Sequence, residues 1–535
     1  MIGPVPRRAT ITSDAAWLAL ITLVTALPFV ARLGFASDDW YLLWAFRTGQ
    51  PLTSLFHDRP LQGLYLFGLY RIFGFDALGG QLVNTAVLAA AMAAFFALGV
   101  RLKIDRATAF AATAILIVLP QLSTVRAWYS AFQIPLAMLC AWVSLHCQLS
   151  FARGGKPIWA VAASLAAVAS IAAYETFAPI IAAFAIWLAL TQPAGARIRP
   201  GLGILLVALG ALTVVKYVGS ARSPTIDLHR YSKGLAQFIR VDYDWRTDFS
   251  LNLFAAVEVE GLWPMTGLLR GAMAAIKGQL GSVAILTACA TALVTFWRLH
   301  GGVAERARLL RPLAFGFALF VLGHAVFLIV PAMSFSPTGV GNRALVAPAA
   351  GVALLFAVAL RAVTAPLPQG VRQSVFAGTT ALIVLFGDLR IGQIETYWAA
   401  IPKLQRSVMS AAKADLAAVP TGSFVMLDGV CPYHGPGIVF EAPWDVSGAL
   451  SLAAGKTLRA DMISPRMGLQ SGGLSSSIYG EPAFYPYGPT LYVWDVRRHA
   501  VTALQSEADA VRYFAGSGRL RLSCPRGYVG QGVLI

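Results

Sequence analysis

Long apolar runs separated by short polar ones set the pattern of the first 390 residues. Runs of roughly 18–20 apolar residues are the length of a membrane-spanning helix and too long for barrel strands. Such runs cover 16–33, 80–100, 107–122 and 130–149. The stretch 158–190 is too long for one span and is interrupted by Tyr174-Glu175-Thr176 and Pro179, so it divides into two helices with Tyr174-Glu175 at their turn. Further runs follow at 202–218, 280–297, 312–331, 343–360 and 374–387, which makes about eleven spans. Two segments break the rhythm. Residues 40–75 mix Trp40, Tyr41, Trp44, Phe46, Phe56, Tyr65, Phe67, Tyr70 and Phe73 with Arg47, His57, Asp58, Arg59 and Arg71. That stretch is too polar to span and too aromatic to float, so it reads as one or two helices lying in the interface. Residues 219–278 form a long charged segment between spans.

From about residue 391 the pattern changes. Gly, Pro, Ser and Tyr rise, and short strand-like pieces appear at 423–427, 437–440 and 490–496, after a helix near 398–419. The expected fold class is therefore an α-helical polytopic membrane protein, residues 1–390, with a C-terminal soluble mixed α/β domain, residues 391–535.

Composition agrees with this reading. The chain is 57% hydrophobic and 13% charged, about half the charged share of a soluble protein. Its net charge of +17 could suggest nucleic acid. The basic residues instead gather in short loops: Arg7 and Arg8; Arg101, Lys103 and Arg106; Arg153 and Lys156; Arg197 and Arg199; Arg306, Arg308 and Arg311; Arg361 and Arg372. The positive-inside rule then places the N-terminus in the cytoplasm of a multi-pass plasma membrane protein, with the C-terminal domain periplasmic or otherwise extracytoplasmic. No basic tract with interleaved aromatics is present, so nucleic acid is not an expected partner. The first apolar run has no small-residue cleavage site after it and is expected to stay as a helix. Of five cysteines, Cys140, Cys147 and Cys289 lie in apolar runs, whereas Cys431 and Cys524 lie in the polar C-terminal region, where an oxidising compartment would allow a disulfide.

The candidate chemistry concentrates at the outer ends of the spans. Asp38 and Asp39 follow the first apolar run directly. An acid near hydrocarbon must be solvated, paired or protonated, so an adjacent pair there is costly unless it is used. A carboxylate near an acceptor hydroxyl can serve as general base; the competing reading is that an Asp after a helix end merely caps the next helix. His57-Asp58-Arg59-Pro60 forms a second polar cluster, in which Arg59 could bind phosphate or sugar or could snorkel to headgroups beside Asp58. Glu175, next to Tyr174, is a lone acid in an apolar stretch. Arg126 precedes Trp128-Tyr129, and Arg343 opens the helix after a Pro-Thr-Gly-Val-Gly turn, where backbone N–H groups and a guanidinium together suit a phosphate. The seven histidines are scattered and no ligand spacing for a metal appears, so no metal site and no cofactor are expected, although an Asp pair alone could hold Mg²⁺ or Mn²⁺. No Walker loop, dinucleotide fingerprint or Gly-x-Ser-x-Gly is present.

The arrangement Asp38-Asp39-Trp40-Tyr41, Arg59-Pro60-Leu61, Phe73-Gly74 and a helix start near Asn84 resembles the GT-C superfamily of polytopic glycosyltransferases that use polyprenyl-phosphate sugars. It is similar to the bacterial aminoarabinose, mannosyl and arabinofuranosyl transferase branches. The likeness covers residues 15–105 and extends to 390 only as helix count and the position of Arg343. It implies inverting transfer on the outer face from a polyprenyl-phosphate-linked sugar to a glycan, lipid or protein acceptor of the cell envelope, within membrane lipid and without a metal. The base would be Asp38 or Asp39, with Asp38 preferred, and the family's second acid would fall on Asp58 or Glu175. The alternative is a lipid or glycan transporter, or an envelope-assembly binding protein. Transporters place polar groups at mid-depth of several helices, whereas these runs are apolar inside and polar at their ends.

Overall fold

The computed structural model describes residues 8–51, 55–56, 58–191, 201, 203–210, 303–326, 339–464, 467–478 and 481–517. Within them lie an apolar helical bundle and a C-terminal α/β unit. The first helix, α1, is Arg8–Val30. Two short helices follow, α2 at Asp39–Arg47 and α3 at Pro60–Phe73, in the stretch expected to lie in the interface. Pro60 opens α3, where its missing N–H costs nothing. Then come α4 at Ala77–Arg101, with the Asp76 carboxylate capping Leu78, and α5 at Arg106–Ile117, with Asp105 capping Thr108.

Past α5 the chain bends by 55° through a turn at Pro120–Leu122 into α6, Ser123–Ala127. A single turn of 3-10 helix, Tyr129–Phe132, leads into α7, Gln133–Ala152. The 158–190 stretch breaks at Tyr174, as its sequence suggests, into α8, Ile158–Ala173, and α9, Ala178–Thr191. Tyr174 takes extended backbone with φ −163° and stops α8. Next come α10, Val303–Ala325, a 3-10 turn at Val340–Leu345, and α11, Val346–Thr364.

Among the described residues four helices are long and apolar enough to cross a membrane, or five if the bent pair counts as one span. Shorter apolar helices cover Ile158–Ala173, Glu175–Thr191 and Leu309–Ala325. The expected helix at 280–297, most of that at 202–218 and the charged segment 219–278 lie outside the described residues.

The last span expected at 374–387 and the separate helix expected near 398–419 are instead one helix, α12, Gln369–Asp415, 47 residues long. No glycine turn or proline pair separates the two parts, and Pro402, the proline inside, does not end the helix. The change of composition near residue 391 therefore marks no break in the backbone. The apolar half packs on the bundle through Ile383 and Ile394, and the far end packs on the sheet through Ile401, Val408 and Ala412.

The α/β unit starts at β1, Phe424–Asp428, followed by β2 at Tyr433–His434 and β3 at Gly437–Ile438. Helix α13 is Pro443–Ala454 and β4 is Arg459–Met462. A small antiparallel sheet is formed by β5, Gly468–Gln470, β6, Gly473–Ile478, and β7, Glu481–Pro486. The chain then forms β8 at Leu491–Asp495, β9 at Ala500–Ala503 and α14 at Glu507–Ser517. The main sheet has the order β4-β1-β8-β9, with β1 parallel to β4 and β8, and β9 antiparallel at the edge. Val425, Leu427, Val446, Leu450 and Trp494 fill its core against α12. The Lys456 ammonium binds the carbonyls of Leu416 (2.8 Å) and Ala417 (2.9 Å), where the end of α12 favours a cation.

Candidate active site

The turn between α1 and α2 is tied by Asp39. Ser37 takes a left-handed backbone, φ +50°, which doubles the chain back. The Asp39 carboxylate then accepts the N–H of Ala36 at 2.8 Å with one oxygen and the N–H of Ser130 at 2.9 Å with the other. Its exposure is zero. Burial pushes this carboxyl up to about 8, against the pull of the two backbone N–H groups. Asp38 is half-buried and its side chain does not cap α2. One oxygen, Oδ1, accepts the indole N–H of Trp444 at 2.7 Å, and the other has no hydrogen-bond partner among the described residues. The adjacent acids therefore do different work: Asp39 is consumed by the fold and Asp38 faces outward.

The Trp128–Phe132 segment is the hub of this end of the bundle. The Trp128 ring lies 4.8 Å beneath the Arg343 guanidinium. Tyr129 stacks on Tyr70, centroids 5.8 Å apart, and meets Phe35 at 5.0 Å. The Ser130 N–H holds Asp39, and Phe132 stacks on Tyr65 at 4.2 Å. Two amides of α4 fix the hub: Gln81 donates to the Ala127 carbonyl at 3.1 Å, and Asn84 donates to that of Tyr129 at 3.4 Å while accepting the Tyr65 hydroxyl at 3.1 Å. Gly80 leaves room for the Tyr129 ring, which a Cβ there would strike.

Arg59 stands just before α3 and makes a two-pronged pair with Glu175, Nη2 to Oε1 at 2.9 Å and Nε to Oε2 at 3.2 Å. Its guanidinium lies 4.6 Å over the Tyr174 ring. Three residues singled out in sequence, Arg59, Tyr174 and Glu175, thus form one group. About a third of each charged side chain remains exposed, 29% for Arg59 and 32% for Glu175. Asp58 adds its negative charge beside Arg59. His57 lies outside the described residues.

Arg343 lies within the 3-10 turn before α11 and not in the α-helix that it was expected to open. The turn is anchored by the Asn342 amide on the Pro120 carbonyl, 2.9 Å, and by the Thr124 hydroxyl on the Gly339 carbonyl, 2.6 Å. The Arg343 Nε has no hydrogen-bond partner among the described residues. Arg126 differs in kind. It is turned inward with its side chain 1% exposed, paired with the equally buried Glu395 at 2.7 Å, and it donates to Thr25 Oγ1 and the Ile117 carbonyl at 3.3 Å each. Its place is a buried tie between α6 and α12, which removes it from the phosphate-ligand candidates.

Sequence reasoning missed Trp128 as the platform for Arg343, Ser130 as the partner of Asp39, and Trp444 altogether as a neighbour of Asp38. Trp444 begins α13, which packs on α2 so closely that a Cβ on Gly448 would lie 2.5 Å from the Trp40 carbonyl.

No protein-family model matches the chain, and no curated protein sequence matches it. Among solved structures it is similar to ArnT from Cupriavidus metallidurans bound to undecaprenyl phosphate, with 13% identity, 84% of this chain and 86% of that one covered, and a TM-score of 0.45. It is also similar to the arabinofuranosyltransferase AftD from Mycobacteria, with 15% identity, 86% of this chain covered and a TM-score of 0.45. The match spans 32% of that much longer protein.

Proposed function

We propose that this chain is an integral-membrane glycosyltransferase that moves a sugar from a polyprenyl-phosphate donor to a hydroxyl of a cell-envelope glycan, lipid or protein. The observation that carries the reading is the division of the Asp pair. Asp39 gives both oxygens to backbone N–H groups, and Asp38 keeps one oxygen open at the rim of an apolar bundle. The acceptor O–H attacks the anomeric carbon as its proton passes to Asp38. The C1–O bond to phosphate breaks on the opposite face, and its electron pair leaves with the polyprenyl phosphate. A single displacement of this kind inverts the anomeric centre.

The phosphate needs positive charge as it departs. Arg343, held over the Trp128 ring, supports that role, and Arg59, oriented by Glu175 and Tyr174, supports contact with phosphate or sugar. Phosphate is a good leaving group, so the proposed step asks no metal of these residues. The site belongs on the outer face of a plasma membrane in this reading. Arg101, Lys103 and Arg153 stand at the opposite end of α4 and α7, and Cys431 is disulfide-bonded, which fits an oxidising compartment. The candidate partner Cys524 lies outside the described residues.

The test is substitution of each acid by Asn, with transfer followed from radiolabelled polyprenyl-phosphate sugars to envelope extracts. Asp38→Asn is expected to abolish transfer, by 10²-fold or more, while the protein stays folded. Full activity in that variant, or no donor consumed by the unaltered protein, would refute the reading and move transport or binding ahead.

A further inference from the structure

The contact between Trp444 and Asp38 joins residues 406 positions apart, across the junction between bundle and C-terminal unit. It is not a chance brush of two surfaces. Helix α13 is seated on α2 by Gly448, whose missing side chain lets the Trp40 carbonyl and the Tyr41 N–H approach the α13 backbone. Trp40 packs against the core of the sheet domain as well as the core beneath α2. The first turn of α13 is fixed in turn by Asp445, which is fully buried and accepts the N–H groups of Glu441 (2.8 Å) and Ala442 (3.1 Å). The indole that follows from this framework arrives with its only hydrogen-bond donor on Asp38 Oδ1.

We propose that Trp444 is a positioning residue, by which the C-terminal domain holds Asp38 in the rotamer that presents its second oxygen to the acceptor hydroxyl. The proposal rests on Asp38 being the base. A carboxylate at a half-exposed site has two soft torsions, and no cap or backbone N–H restrains this one. The indole N–H supplies the missing restraint: it occupies one oxygen, fixes the plane of the carboxylate and leaves the other oxygen to take the proton. An indole suits this role because it donates and cannot accept, so it never competes for the acceptor's proton. The C-terminal domain then becomes a working wall of the site.

The test compares the unaltered protein with Trp444→Phe and with 3-benzothienylalanine at position 444, which keeps the indole shape and replaces only N–H by sulfur. Both are expected to lower kcat about 10-fold or more, with the donor KM within twofold and melting temperature unchanged for the isosteric variant. Asp38→Asn is run alongside. If the benzothienyl protein turns over at the full rate, or faster, the positioning role is overturned while the base reading stands on a dead Asp38→Asn. If Asp38→Asn itself keeps full activity, the base reading fails and the role of Trp444 fails with it.

Discussion

Two adjacent aspartates of one chemistry end up in different surroundings because the backbone N–H groups of Ala36 and Ser130 take both oxygens of one of them. Asp39→Asn would set an amide N–H₂ against an N–H it cannot accept, leaving a buried donor unmet at a cost of about 1–3 kcal/mol. We expect a clear fall in melting temperature for Asp39→Asn and almost none for Asp38→Asn, the reverse of their order in activity. Asp39 also sets a pH dependence. In the fold its carboxyl keeps a proton up to about 8, whereas the unfolded chain releases it near the ordinary 3.8. The folded state thus holds more protons between these values, and its stability falls as pH rises from about 4 to 8. Melting curves across that window should slope for the unaltered protein and flatten by this increment in Asp39→Asn. The sequence shows that the pair matters, because acids next to an apolar run are conspicuous. It does not show which acid is free, since the deciding N–H comes from a distant turn. Arg126 and Arg343 likewise read alike locally, each a lone Arg at the end of an apolar run. What separates them is Glu395, whose proximity to Arg126 only the fold creates.

At the scale of elements, the unpredicted feature is how helices are tied end to end. The Arg126–Glu395 pair links the bent α6 to α12 with both side chains out of water, at 1% and 2% exposure. Removing one partner leaves a buried charge, so Arg126→Met should cost about 3–5 kcal/mol. Arg126→Met with Glu395→Met should recover most of that loss, and a double-mutant cycle on melting temperature in detergent reads it. The α13–α2 seat is the second tie. Gly448→Ala places a methyl 2.5 Å from the Trp40 carbonyl, an overpacking of about 1–3 kcal/mol. It should lower the transfer rate as the loss of the Trp444 N–H is expected to, because α13 must back away from Asp38. The apolar helices of the described residues were legible from run length, and Tyr174 was a readable break. The edges of α12 were not, because helical propensity continues through a change from apolar to polar residues and nothing in the local sequence stops it. Strands β2, β4 to β7 and β9 escaped notice for a related reason: they are short, and their pairing partners, not their own pattern, hold them in place.

At the scale of the whole molecule, the proposed outer placement has a direct check. The Ser471–Gly472 turn between β5 and β6 is exposed, and a protease site inserted there should be cut in spheroplasts from outside and spared in inside-out vesicles. The reverse pattern would place the sheet in the cytoplasm. The unbroken α12 also has a mechanical consequence. Its 47 residues rise about 70 Å, more than twice the ~30 Å of hydrocarbon a bilayer offers. Pro402, inside it, rests on Gly34, where even a Cβ would collide with the proline ring. A change of helix tilt would pivot about that contact. From Pro402 to Asp415 the helix rises about 20 Å, so a change of 5° in the angle between α1 and α12 swings its tip through about 2 Å. Helices change tilt when the surrounding lipid thickens or thins. A swing of that size is enough to part an indole from a carboxylate 2.7 Å away. On the proposed function, turnover in vesicles of graded acyl-chain length should then pass through a maximum where the tilt matches the docked state.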